Sequence, residues 1–202
     1  MDQDGALQIA DQLASQGWGT VSHFISPGLV GALANEARAM RAAGRFRAAA
    51  VGGGGRKRVD REVRGDETCW LDPASATPAQ REYLETLDAL RAALNRELQL
   101  GLFDFETHFA FYPPGAFYRW HRDRPHGSEA RIVSSVLYLN ETWKPEDGGE
   151  LRLYVDESGK GAYRQFLPDA GALVCFFSER FWHEVLPARR ERWSLSGWFV
   201  RR

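Results

Sequence analysis

From Phe103 to Val200 the chain breaks into short apolar stretches separated by turn formers, and this rhythm constrains its fold more than any other feature. The stretches are Phe103–Tyr112, Ala116–His121, Arg131–Leu139, Glu150–Val155, Tyr163–Leu167, Ala172–Phe177, Trp182–Leu186 and Arg192–Val200. Between them lie Pro113-Pro114-Gly115, Pro125-His126-Gly127, Asp147-Gly148-Gly149, Ser158-Gly159-Lys160-Gly161 and Pro168-Asp169-Ala170-Gly171, all of which interrupt strand pairing. About eight short strands in about a hundred residues predict a jelly-roll sandwich or barrel.

The first half of the chain carries a different period. Ala6 to Gln16 places apolar residues at helical spacing and stops at Gly17. Gly19 to Ile25 reads as a short strand. Ser26-Pro27 offers an N-cap followed by proline at the first helical position, and predicts a helix to about Ala43. Arg64 to Leu71 reads as a strand, and Thr77-Pro78 opens a third helix with apolar positions from Tyr83 to Leu98. The fold class expected is therefore mainly β with flanking helices. A single domain would span 1–202, with helical support over about 1–100 and a β core over about 103–200.

Composition narrows the function classes. The net charge is −1, so no global field draws the chain to nucleic acid or to an anionic membrane. No apolar run approaches a membrane span, and the polar, acidic start lacks the features of a signal peptide. Cys69 and Cys175 are too few for a disulfide framework and sit in apolar runs, which predicts buried free thiols in the cytoplasm. Val51 is followed by glycines 52–55 and then Arg56-Lys57-Arg58. No Gly-Lys-Ser/Thr follows, so a mobile loop is expected rather than a phosphate cradle.

The chemistry is concentrated in a few side chains. His121 and Asp123 lie two apart on an extended stretch and so share a face. His183 opens a later strand, and strands distant in sequence can meet at one mouth of a rolled sheet. Two imidazoles and a carboxylate fill one face of an Fe(II) ion and leave the other positions open for a chelating 2-oxo acid and dioxygen. Arg192 starts the last strand, where Arg192, Ser194, Ser196 and Trp198 share one face and Trp193, Leu195, Gly197 and Phe199 the other. A guanidinium on a core-entering strand requires an anion, and a carboxylate matches its fork best. Tyr138 could add a phenol donor to the same carboxylate. A zinc hydrolase could use the same three ligands but would leave Arg192 and Tyr138 without a task. His23 and His108 read as structural residues, and His126 as a solvated turn residue.

These residues resemble the prolyl hydroxylase-domain branch of the Fe(II)/2-oxoglutarate dioxygenases, in particular its bacterial members. The resemblance is carried by Arg64-Gly65-Asp66 leading to Trp70, by Tyr112-Pro113-Pro114-Gly115 and by Tyr118 three before His121. It continues through Tyr138-Leu139-Asn140, Gly148-Gly149-Glu150-Leu151-Arg152, and His183-Glu184-Val185 with Pro187 and Arg192. The resemblance implies a double-stranded β-helix. It implies His121, Asp123 and His183 as iron ligands, Arg192 and Tyr138 on the distal carboxylate of 2-oxoglutarate, Tyr112 lining the cosubstrate pocket and Ser196 near the metal. Arg131 and Trp198 match positions beside the substrate groove. The loop around Gly52–Asp60, with Gly53 and Arg56, matches a segment that closes over a peptide.

The implied reaction couples conversion of 2-oxoglutarate and O2 to succinate with hydroxylation of a prolyl C4 in a protein, with ascorbate supporting activity. For bacterial relatives the implied substrate is elongation factor Tu, acted on by a cytoplasmic monomer. Two rival readings remain at this stage. One is a 2-oxoglutarate oxygenase acting on a free amino acid or small metabolite. The other is a non-catalytic binding module on the same barrel. Nucleic-acid demethylation is disfavoured, because the second arginine typical of such enzymes is replaced by Trp198.

Overall fold

The computed structural model describes residues 3–52, 58–123, 130–156 and 158–202. Its helices are α1 (Gln3–Gln16), α2 (Pro27–Ala42) and α3 (Pro78–Leu98). Its strands begin with β1 (Trp18–Val21), β2 (Arg47–Ala48), β3 (Ala50–Val51), β4 (Arg58–Val59) and β5 (Glu67–Trp70). They continue with β6 (Asp104–Tyr112), β7 (Tyr118–His121), β8 (Arg131–Tyr138) and β9 (Leu151–Tyr154). The last are β10 (Tyr163–Phe166), β11 (Leu173–Phe177), β12 (His183–Val185) and β13 (Arg192–Val200).

The helices begin where the chain supplies acceptors for their free N–H groups. The Leu29 N–H donates to Ser26 Oγ, and the Gln80 N–H donates to Thr77 Oγ1, each at 3.2 Å. Pro27 and Pro78 take the first turn, where no N–H is missed. In α3 the stripe Tyr83, Leu87, Leu90 and Leu94 is wholly buried at helical spacing. Gln99 ends the helix in the left-handed region at φ 53°.

Two sheets face each other. The larger has the order β1-β11-β8-β13-β6-β5-β2 and the smaller β10-β9-β12-β7. Together they form the double-stranded β-helix, with β3 and β4 as a separate pair. Period-two alternation sends each strand of the large sheet into two cores. Trp193, Leu195 and Phe199 of β13 join Phe109, Phe111, Val133, Leu137 and Leu173 under the three helices. Burying one such large side chain is worth about 1.5–3 kcal/mol. The helical layer is thus held by the sheet more than by its own propensity. Alternate residues point to the smaller sheet, where Tyr112, Tyr138, Leu151, Leu153, Val174, Phe176 and Val185 form a second cluster. Beside it a cavity of about 420 Å³ is bounded by both sheets.

All eight strands expected after Phe103 are present, with ends shifted by two residues or fewer. The expected Gly19–Ile25 strand stops at Val21, because His23 turns into the left-handed region at φ 56° and Ser26 is committed to capping α2. The expected Arg64–Leu71 strand shortens to β5, and Arg64 instead makes an isolated bridge with Tyr118. Gly53 and Arg56, expected at a substrate-closing loop, lie outside the described residues. Cys69 and Cys175 are buried free thiols. Among the described residues no helix is long and apolar enough to cross a membrane.

Candidate active site

Strand pairing brings the metal ligands together. β12 runs between β9 and β7, and His183 lies directly opposite His121. Asp123 follows β7 by two residues, and its carboxylate enters the gap between the imidazoles. Asp123 Oδ1 is 3.5 Å from His121 Nε2, and Asp123 Oδ2 is 3.6 Å from His183 Nε2. Ligand atoms of all three lie within 4.8 Å of one another, which fits one metal ion. His121 Nδ1 meets the Arg119 carbonyl at 2.7 Å and His183 Nδ1 meets the Phe181 carbonyl at 3.2 Å. A carbonyl can only accept, so each ring carries its proton on Nδ1 and turns the Nε2 lone pair to the metal position.

Electrostatics prepare the same state. Burial, reinforced by His121, lowers His183 from 6.5 to about 4, so its imidazole is neutral and free to ligate. Burial opposes ionisation of Asp123, but His183, His121 and the Ser134 hydroxyl outweigh it and hold the carboxyl well below the usual carboxylate range. His121 is propped from behind. Tyr118 stacks on it at 3.5 Å, and the Arg64 guanidinium lies 4.0 Å over the Tyr118 ring. Arg64 is in turn fixed by two hydrogen bonds, of 2.7 and 2.6 Å, to buried Asp66.

Asp123 also has a support that sequence reasoning missed. Ser134 Oγ donates to Asp123 Oδ2 at 2.7 Å and lies 2.8 Å from Ser178 Oγ. Both serines are fully buried. The only signal for Ser134 was a hydroxyl pair inside the otherwise apolar Ile132–Leu139 run, which names no partner. Such outer partners typically change metal affinity by about 10–100-fold. Ser134→Ala is therefore expected to weaken Mn(II) or Co(II) binding by roughly that factor, measured by titration of the metal-free protein.

At the other end of the cavity Arg192 is 1% exposed. Its Nε donates to the Gly149 carbonyl at 2.8 Å and its Nη1 to Ser194 Oγ at 3.5 Å. Among the described residues it forms no ion pair. The rings of Tyr112 and Tyr138 lie 4.8 and 5.1 Å from the guanidinium carbon. Burial pushes the Tyr138 phenol up to about 12, against the pull of the Arg192 guanidinium beside it, so it stays a donor, and among the described residues no acceptor meets its O–H. A buried cation without an anion beside a buried unpaired donor is a carboxylate site. Gly149 permits the close approach: at φ 72°, a Cβ there would lie 3.2 Å from Arg192 Cδ and 2.9 Å from Ala188 Cβ.

The remaining wall is aromatic. In register across β5, β6 and β13, Trp70 faces His108 and His108 faces Ser196. Trp198 follows on the same face, and the Arg131 guanidinium lies 3.5 Å over its ring. His108, expected to be structural, thus lines the cavity with Arg131, Ser196 and Trp198. Burial, aided by Arg64 and Arg131, lowers His108 from 6.5 to about 3. Acid therefore favours the unfolded chain, which takes up the proton near 6.5 while the folded chain resists it to about 3. Stability of the metal-free protein is expected to be intact above that upper value and to fall as pH drops below it. In a pH series of melting curves, His108→Leu should flatten the fall.

Comparison with known proteins agrees with this geometry. The sequence signature of the 2OG-Fe(II) oxygenase superfamily matches residues 107–200. The chain is similar to the crystal structure of a Pseudomonas putida prolyl-4-hydroxylase, with 47% identity, a TM-score of 0.88, and 98% of this chain and 99% of that one covered. It is also similar to a prolyl hydroxylase from Trichoplax adhaerens solved with a hypoxia inducible factor oxygen degradation domain peptide fragment. There identity is 25%, the TM-score is 0.85, and 96% and 88% of the two chains are covered. A hypoxia-inducible factor prolyl hydroxylase of Caenorhabditis elegans is 37% identical over 94 residues, which is 45% of this chain but only 13% of that protein.

Proposed function

Because the chain belongs to the 2OG-Fe(II) oxygenase superfamily, as its full-length likeness to a prolyl-4-hydroxylase establishes, we propose that it hydroxylates C4 of a prolyl residue in a protein. Elongation factor Tu is the substrate to test first. One observation carries the reading: a complete His-Asp-His ligand set and a buried guanidinium with no anion beside it among the described residues line the same cavity.

His121, Asp123 and His183 would hold Fe(II) on one face. Arg192 and Tyr138 would hold the distal carboxylate of 2-oxoglutarate, with Tyr112 lining its pocket and Ser196 near the metal. When bound, iron and 2-oxoglutarate supply the means to split dioxygen, one oxygen atom entering the substrate C–H bond and the other the succinate formed as carbon dioxide leaves. The chain's own contribution is geometric and electrostatic. It orients both imidazoles through carbonyl contacts, keeps Asp123 ionised, and excludes water with the apolar cluster between the sheets. The Trp70, Trp198 and Arg131 wall offers flat apolar surface and a cation to a peptide segment. Trp70 is 51% exposed although it borders a cavity, as suits a surface that a partner covers.

The test is incubation of the protein with Fe(II), 2-oxoglutarate and ascorbate in bacterial lysate, followed by peptide mass spectrometry. A gain of one oxygen on a proline is expected. Consumption of 2-oxoglutarate with no modified protein would overturn the reading in favour of a small metabolite.

A further inference from the structure

We propose that His108 is a specificity-determining residue of this site, whose Nδ1–H donates a hydrogen bond to a backbone carbonyl of the bound prolyl peptide. The inference deepens the prolyl hydroxylation reading and rests on it.

His108 is 4% exposed, and its Nδ1 has no hydrogen-bond partner among the described residues. Buried polar atoms are nearly always paired, so an orphan on a cavity wall calls for a partner that arrives with a ligand. The ring is held in place by aromatic neighbours, with Trp70 at 4.8 Å and Trp198 at 5.5 Å between centroids. Trp198 Nε1 is a second buried nitrogen on the same wall without a partner among the described residues. Both rings thus bring an unmatched nitrogen to an otherwise aromatic wall.

The position separates this wall from the cosubstrate. His108 pairs across the sheet with Ser196, and Arg192 pairs with Tyr112, four residues along the same strands. At the rise of an antiparallel strand that is about 13 Å. That end of the cavity is walled by Trp70, Trp198 and Arg131, the surface that the proposed function gives to the peptide. The ligand met by His108 is therefore the substrate.

The donor role follows from the substrate's chemistry. His108 is neutral at physiological pH, lowered to about 3 by burial and then by Arg64 and Arg131, and so has one donor and one acceptor nitrogen. A prolyl residue carries no N–H, and the backbone at its own position offers only carbonyl oxygen. A nitrogen beside it is satisfied by donating.

The experiment compares wild type, His108→Leu and His108→Asn on the prolyl protein that gains oxygen in lysate. Leucine keeps bulk and removes the donor, and the asparagine amide reaches the place of Nδ1. His108→Leu is expected to raise KM for the protein substrate about tenfold, with KM for 2-oxoglutarate unchanged. His108→Asn is expected to recover most of the loss, and melting curves of both variants identify any loss of folding. An unchanged protein KM in His108→Leu overturns the inference and leaves the reading intact. A loss of equal size in His108→Asn, with its melting curve intact, assigns His108 to shape and also overturns it. If wild type modifies no proline in any protein, the reading itself fails and the inference falls with it.

Discussion

His183→Ala is expected to abolish iron-dependent turnover while the protein still folds. Of the three ligands His183 is the most buried, and it sits on the central strand of its local pairing, between β7 and β9. Its removal leaves one imidazole and one carboxylate, too few to hold the ion on one face. It also removes the imidazole 3.6 Å from Asp123 Oδ2, so the two ligands that remain have no third donor beside them. The fold has less at stake, since a neutral imidazole already held at about 4 is a group the interior tolerates at a cost. Desalted variant protein should therefore show a cooperative melting transition but no retained iron, and no consumption of 2-oxoglutarate above background. His121→Ala and Asp123→Ala are expected to behave alike. Full consumption of 2-oxoglutarate by His183→Ala would remove this residue from the metal site.

The parts legible in the sequence were those with a period or a fixed offset. β6, β8, β11 and β13 alternate apolar and polar residues or run apolar throughout, and breakers bound them. His121 and Asp123 stand at the spacing of one strand face, and the alternation of β13 already put Arg192 and Ser196 on the face opposite Leu195. The parts not legible depend on who sits across a sheet. Pairs of two residues such as β2 and β3 carry no period at all. Ser134 is one hydroxyl of two adjacent ones, and only the fold tells which of them meets Asp123. His108 alternates with aromatics as a structural residue would, and only its register opposite Ser196 and Trp70 exposes it to the cavity. The shortening of the expected β1 has a similar cause: the strand pattern ran on, but the cap of α2 took the residues.

Arg192→Ala is expected to raise KM for 2-oxoglutarate by roughly thirtyfold to several thousandfold, the range that follows from losing one partner of a buried charge-assisted pair. The guanidinium is almost fully inaccessible, its own hydrogen bonds go to a carbonyl and a hydroxyl, and among the described residues no acceptor meets the Tyr138 phenol beside it. Burying a charge in this state costs the free protein, and an incoming carboxylate relieves that cost while accepting from the fork. The 2-oxo acid should therefore raise the melting temperature of the wild-type protein, an effect that mass action ties to affinity. In Arg192→Ala the shift should vanish at the same concentration. Arg192→Lys keeps the charge but loses the planar pair of donors, so it is expected to fall between the two. Tyr138→Phe removes a single neutral donor and should cost about tenfold or less. If KM and the thermal shift are unchanged in Arg192→Ala, the oxo acid is anchored elsewhere, and the polar face of β13 needs another explanation. If Arg192→Ala and Tyr138→Phe together lose less than the product of their separate effects, the two groups hold the same carboxylate, because partners on one ligand do not act independently.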